Sequence, residues 1–208
     1  FELADAYFEW EPWGDVYRYI PSSHNFINMN FGNKKQFWAF TLDIFHNIYN
    51  DPWTQSLKGK RILIVSPFIN SMREKVEILP EIYGVDLFPE CKFIFIKPPQ
   101  TQGECESDEF NVEIEKFMQE VHKIKNSFDI ALCSCGGYGN LICAEIYKLG
   151  KSAIYVGGVL QMFFGIYGNR WLKERPDILR LFMNKYWTRP KEEECPTGHK
   201  RVEGGCYW

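Results

Sequence analysis

No run of apolar residues in this chain approaches the ~20 needed to cross a bilayer as a helix, and no secretory leader is legible at its start. A basic surplus is missing as well. Lys and Arg number 24 against 27 Asp and Glu, for a formal charge of −3 and a pI near 5.9. That balance leaves no electrostatic footprint for nucleic acid. The pattern G-x-x-x-x-G-K-[ST] does not occur, which excludes P-loop chemistry. Internal repeats are absent too. Cysteine is present but odd in number, at seven. Three of them (Cys133, Cys135 and Cys143) fall in apolar segments, which suits free thiols in a reducing compartment and points to the cytoplasm.

What is there is organised by the stretch from Phe128 to Trp171. An apolar run, Ile130 to Cys135, breaks at Gly136-Gly137-Tyr138-Gly139-Asn140. A helical pattern follows, with Leu141, Ala144, Ile146 and Tyr147 apolar, and Gly150 stops it. A second apolar run, Ala153 to Val156, ends in Gly157-Gly158. Strand, glycine turn, helix, strand is the βαβ unit of an α/β fold. Parallel strands bring their carboxyl ends to one edge, so both glycine turns are expected to open on one crevice.

At 208 residues the chain can bury a sizeable core. The expected layout is a single α/β domain: an aromatic, irregular arm over 1–33, a core over 34–187 and a tail over 188–208. It begins with Phe rather than Met, which fits a segment of a longer polypeptide with flanking domains. Lys34 to Tyr49 reads as a helix, with Phe37, Trp38, Leu42, Phe45 and Tyr49 at helical spacing. Arg61 to Ser66 and Lys92 to Ile96 read as strands, Ser71 to Leu79 as a helix before Pro80, and Asp108 to Lys125 as an amphipathic helix. Trp171 to Trp187 reads as mostly helical beyond a break near Arg175-Pro176. This alternation predicts a Rossmann-like parallel sheet of about four strands or more, with helices on both faces.

Glycines let a backbone approach a phosphate closely, and the helix that follows offers free N–H groups and a positive dipole end. The dinucleotide fingerprint G-x-G-x-x-G needs a small residue at Ile142 and an acid at the end of the next strand. Both are missing, so nicotinamide oxidoreductase and methyltransferase readings fail. The remaining ligand class is a nucleoside diphosphate facing backbone amides. Its expected contacts are Gly136, Gly137, Tyr138, Gly139, Asn140, Gly157 and Gly158. Polar residues at strand ends join them: Ser66, Lys97, Gln100 and Gln161, with Thr101 and Ser134 alongside. Arg170 would neutralise a leaving diphosphate, although a solvated surface charge is an equal reading for it and for Lys97.

Asp43 and His46 lie three apart on the expected aromatic helix, where a carboxylate that orients an imidazole makes a general base. Asp15, Glu9 and Glu11 are rival carboxylates, and an exposed polar face is the plainer reading of any such pair. Cys195, His199 and Cys206 fall one ligand short of a structural zinc set. No metal is required, and dependence on a divalent cation stays open.

Several motifs together resemble a bacterial and viral group of glycan-assembly proteins related to glycosyltransferases of the GT-D fold. They are Pro52-Trp53-Thr54-Gln55-Ser56-Leu57-Lys58-Gly59-Lys60-Arg61 running into a strand that ends Ser66-Pro67-Phe68, the Cys135 to Asn140 turn, Leu149 to Trp171, Tyr186 to Pro190, and Val202 to Trp208. The resemblance spans about Leu42 to Trp208. It implies a Rossmann-like transferase that moves a sugar from a nucleoside diphosphate, UDP being favoured, to a hydroxyl of an oligosaccharide acceptor. The viral members it resembles are domains of multidomain chlorovirus proteins that build capsid glycans, which implies rhamnose as the sugar and the host cytoplasm as the location. The D-x-E metal motif associated with that fold does not occur here. The alternative expectation is a non-catalytic module that binds nucleotide or glycan for a partner transferase.

Overall fold

The structure is a computed structural model that describes residues 1–9, 23–46 and 48–208, with the main chain alone for Ser23, His24 and His46. It divides into two compact units, Phe1–Asn47 and Ile48–Trp208.

In the first unit, β1 (Ala6–Glu9) pairs in parallel with β2 (Lys35–Trp38), and α1 (Ser23–Phe31) lies between them in sequence. Phe8 and Phe37 are register partners, and their rings stack at 5.5 Å. The helix expected over Lys34 to Tyr49 is not formed. β2 is followed by two short 3₁₀ turns, Ala39–Leu42 and Ile44–His46. The helical spacing came from aromatic residues, which favour a paired strand over a helix when a partner is present.

The second unit holds a four-stranded, all-parallel sheet in the order β4-β3-β5-β6, built from β3 (Arg61–Val65), β4 (Lys92–Ile96), β5 (Ile130–Cys133) and β6 (Ser152–Tyr155). β3 and β5 are apolar runs because both their faces are covered. Ile62, Leu63, Ile64, Ala131, Leu132 and Cys133 are wholly buried. Burying each of the Ile and Leu side chains among them contributes about 1.5–3 kcal/mol. One face packs on α4 (Phe110–Lys123) and α5 (Gly139–Lys148) through Leu63, Val65, Phe117, Val121, Ile142 and Ile146. Across the other face, Phe88, Phe93, Phe95, Phe163 and Phe164 meet ring to ring.

Shorter elements connect these strands. After β3 come α2 (Ile69–Arg73), a 3₁₀ turn at Val76–Ile78 and α3 (Leu79–Tyr83). Pro80 therefore opens a helix instead of ending one, as suits a residue with no N–H to donate in a first turn. After β6 come α6 (Leu160–Phe163), α7 (Asn169–Lys173) and α8 (Pro176–Phe182). Among the described residues, no helix is long and apolar enough to cross a membrane.

Candidate functional site

From β3 the chain goes to β4 on one side, and β5 then lies on the other. The strand order thus reverses between β3 and β5, the place where open α/β sheets bind ligands at their carboxyl edge. Here that place is largely closed. Ser66 and Ser134, which follow the two strands, are 0% and 7% exposed. Their N–H groups extend the ladder to Ile96 and Val65, and Ser66 Oγ accepts the Phe68 N–H at 3.2 Å. Phe68 is buried edge-on against Trp208 at 6.0 Å, and the Trp208 indole N–H donates to the Glu194 main-chain oxygen at 3.0 Å. The buried Glu194 carboxylate accepts from the N–H groups of Asn70 (2.8 Å) and Ser71 (3.3 Å) and from the Ser71 hydroxyl. The tail, expected to be an irregular appendage, lies over the turn after β3 and satisfies the first amides of α2.

The corner after β5 is open. Gly136 has φ of +52°, and an added Cβ at Gly136 or Gly137 would meet nothing within 4 Å. Both are exposed, and neither N–H has a main-chain acceptor among the described residues. Asn140, in the first turn of α5, is exposed too. Tyr138 is buried, stacks on Phe110 at 4.4 Å and donates its hydroxyl proton to Thr101 Oγ1 at 3.2 Å, tying the loop after β4 to this corner. Gln100 is spent within that loop: its Nε2 donates to the carbonyls of Pro98 and Pro99, and its Oε1 accepts from Gln102. Lys97 is exposed at the end of β4 and makes no ion pair among the described residues.

Tyrosine rings occupy part of both corners. A Cβ at Gly139 would come within 2.2 Å of the Tyr155 ring, and one at Gly158 within 2.2 Å of the Tyr207 ring. Close approach of a ring, not of a phosphate, is what requires glycine at these two positions. Gly157, with φ of +77°, is open, and like Gly158 its N–H has no main-chain acceptor among the described residues. Gln161 is wholly buried. Its Nε2 donates to the Tyr207 carbonyl at 3.2 Å, while its Oε1 has no partner among the described residues.

Arg170, expected as a free cation, is engaged instead. Its guanidinium lies 4.8 Å from the centre of the Tyr207 ring, donates to the Tyr207 hydroxyl at 3.2 Å and pairs with Glu203 at 2.5 Å. Its N–H donates to the Cys206 carbonyl at 2.8 Å. Burial pushes the Tyr207 hydroxyl pKa up, and Arg170 pulls it part of the way back. Beneath the first corner, Cys133 sits between Cys135 and Cys143. Hydrogen bonding with those two thiols, then burial, pushes Cys133 well above the ordinary thiol range, so it stays protonated and unreactive. All seven cysteines are free.

The expected general bases belong to the first unit. Asp43 is buried and lies between the two 3₁₀ turns, its N–H bonded to the Phe40 carbonyl, so no helical face presents it beside His46. The His46 side chain lies outside the described residues, as do Asp15 and Glu11. Glu9 is buried in β1. His199 bonds Pro196 and faces Trp208, and no group of three or more His, Cys, Asp or Glu among the described residues could hold a metal.

Sequence reasoning missed Tyr155, Tyr207 and Glu194. The only signal for them was the aromatic close of the chain at Tyr207-Trp208 and the excess of glycine over what two turns need. Comparison with family models, with curated proteins and with solved structures finds no match for this chain.

Proposed function

We propose that this chain is a glycosyltransferase that takes a sugar from a nucleoside diphosphate, with the diphosphate at the glycine corners after β5 and β6, and passes it to a glycan hydroxyl. The observation that carries this reading is the set of main-chain N–H groups at Gly136, Gly137 and Gly157. They stand on adjacent corners at one edge of a parallel sheet, have no main-chain acceptor among the described residues, and a Cβ built at each of these glycines meets nothing within 4 Å. Amides fixed this way match the oxygens of a pyrophosphate without any reorganisation. The choice of a sugar donor, and of rhamnose as the transferred group, rests on the sequence motifs described above. Lys97, exposed at the end of β4 and without an ion pair among the described residues, is the cation assigned to this role, since Arg170 is already paired.

A non-catalytic binding module is the second reading. What favours it is that three carboxylates of the tail are already engaged: Glu193 and Glu194 by Asn70 and Ser71 of α2, and Glu203 by Arg170. Thermal-shift screening with UDP, GDP, CDP and dTDP tests the shared part: a bound diphosphate raises the melting point by mass action. Incubation with the matching nucleotide sugar and a glycan acceptor then separates the two, because the module yields no product. If none of the four diphosphates raises the melting point, both readings fall.

A further inference from the structure

We propose that Tyr155 is a positioning residue that holds the Gly136–Gly137 peptide ready for the phosphates of a nucleoside diphosphate; the inference rests on the nucleotide reading above. Tyr155 is the last residue of β6, yet its side chain serves the neighbouring corner. Its hydroxyl donates to the Gly136 carbonyl oxygen at 3.0 Å, and that oxygen also accepts the Gly139 N–H. A peptide group is planar and trans, so a carbonyl held on one side fixes the following N–H on the other. Anchoring Gly136 O therefore sets the direction of the Gly137 N–H, one of the corner amides without a main-chain acceptor among the described residues.

The ring completes the hold. It lies against Gly139, where a Cβ would come within 2.2–2.7 Å of three of its carbons, so it presses on the first residue of α5. Gly136 and Gly137 have no side chains and no neighbours to restrain them from above. Without the hydroxyl the Gly136 carbonyl keeps only the Gly139 N–H, and a peptide between two glycines turns more freely about that single bond. Two residues after Tyr155 the chain reaches Gly157, so this one residue links the corner it anchors to the corner it precedes. Burial, with Cys135 and Tyr207 close by, pushes the hydroxyl up to about 12, so it keeps the proton it donates throughout the physiological range.

A tyrosine that merely fills space matters equally to every ligand, whereas one that aims an amide matters to the phosphates. Calorimetry on the full chain separates these roles. The tightest of UDP, GDP, CDP and dTDP is carried forward with its monophosphate and its nucleoside, the last two by competition. Tyr155→Phe keeps the ring on Gly139 and removes only the hydroxyl. Its expected effect is a loss of diphosphate affinity of about fivefold to tenfold, the worth of one net hydrogen bond, with nucleoside affinity unchanged. Unchanged diphosphate affinity, or an equal loss for diphosphate and nucleoside, overturns the positioning role and leaves the nucleotide reading standing. Absence of diphosphate binding by the unaltered protein removes the nucleotide reading and this inference with it.

Discussion

At Gly137 an added Cβ meets open space, whereas at Gly139 it meets the Tyr155 ring at 2.2 Å. Two glycines two residues apart are thus kept for opposite reasons, and substitutions tell them apart. Gly137→Val has no neighbour to collide with, so the melting point should move by only a degree or two, about the effect of a surface change. The branched side chain covers the amide, however, and calorimetry should find diphosphate affinity reduced at least tenfold. Gly139→Ala should behave in the reverse way. The ring cannot yield by 1 Å without leaving its hydrogen bond to Gly136, and overpacking of this kind costs about 1–3 kcal/mol in a denaturant titration. The glycine cluster was legible in the sequence, but the separate tasks of its members were not. The rings that distinguish them arrive from Tyr155 and Tyr207, and nothing local to Gly139 or Gly158 announces a partner so far along the chain.

At the level of elements, the strands were legible because a parallel sheet buried on both faces must be written as apolar runs, and Arg61 to Val65 and Ile130 to Cys133 are such runs. The helix α4 was legible from its apolar stripe, of which Phe117 and Val121 are buried. The region from Lys34 to Tyr49 misled because spacing alone does not separate a helix from a short strand followed by tight turns. The tail was opaque for a different reason. Its 3₁₀ turns have no periodicity, and much of its order comes from distant donors: Asn70 and Ser71 bind Glu194, and Asn169 binds Trp208. Removing that order has a measurable cost. Glu194→Ala leaves two N–H groups and a hydroxyl without their acceptor in a buried place, and should destabilise the protein by about 2–3 kcal/mol by chemical denaturation. Glu194→Gln, which keeps one acceptor oxygen, should lose less.

Over the whole molecule, the net charge of −3 at pH 7 is small, so near neutrality the pH response of stability should come from individual ionisable groups rather than from general repulsion. Asp129 is the clearest case. Arg61 donates to it from its side chain and from its main chain, with a shortest separation of 2.6 Å, and holds its carboxyl well below the usual range. A carboxylate depressed in the folded state contributes stability that is complete above the unfolded value near 4 and is lost as pH falls toward the folded one. The pair is partly open to solvent, so the contribution is modest. Asp129→Asn should be less stable than the unaltered protein at about pH 6, and the gap should narrow as the pH is taken to about 2. A gap that stays constant across that range would mean that the charge on Asp129 contributes nothing.

Glu194 closes the turn after β3 from 124 residues further along the chain. A ribosome adding about 5–20 residues each second needs roughly 6–25 s to make that interval. Throughout that time the nascent chain carries Phe68 without the indole that later covers it, and α2 without its anion. The same arrangement that finishes the fold makes translation past Glu194 a checkpoint. A chain released short of it would present an uncovered aromatic ring and unsatisfied amides, the features by which chaperones and proteases select what to hold or destroy.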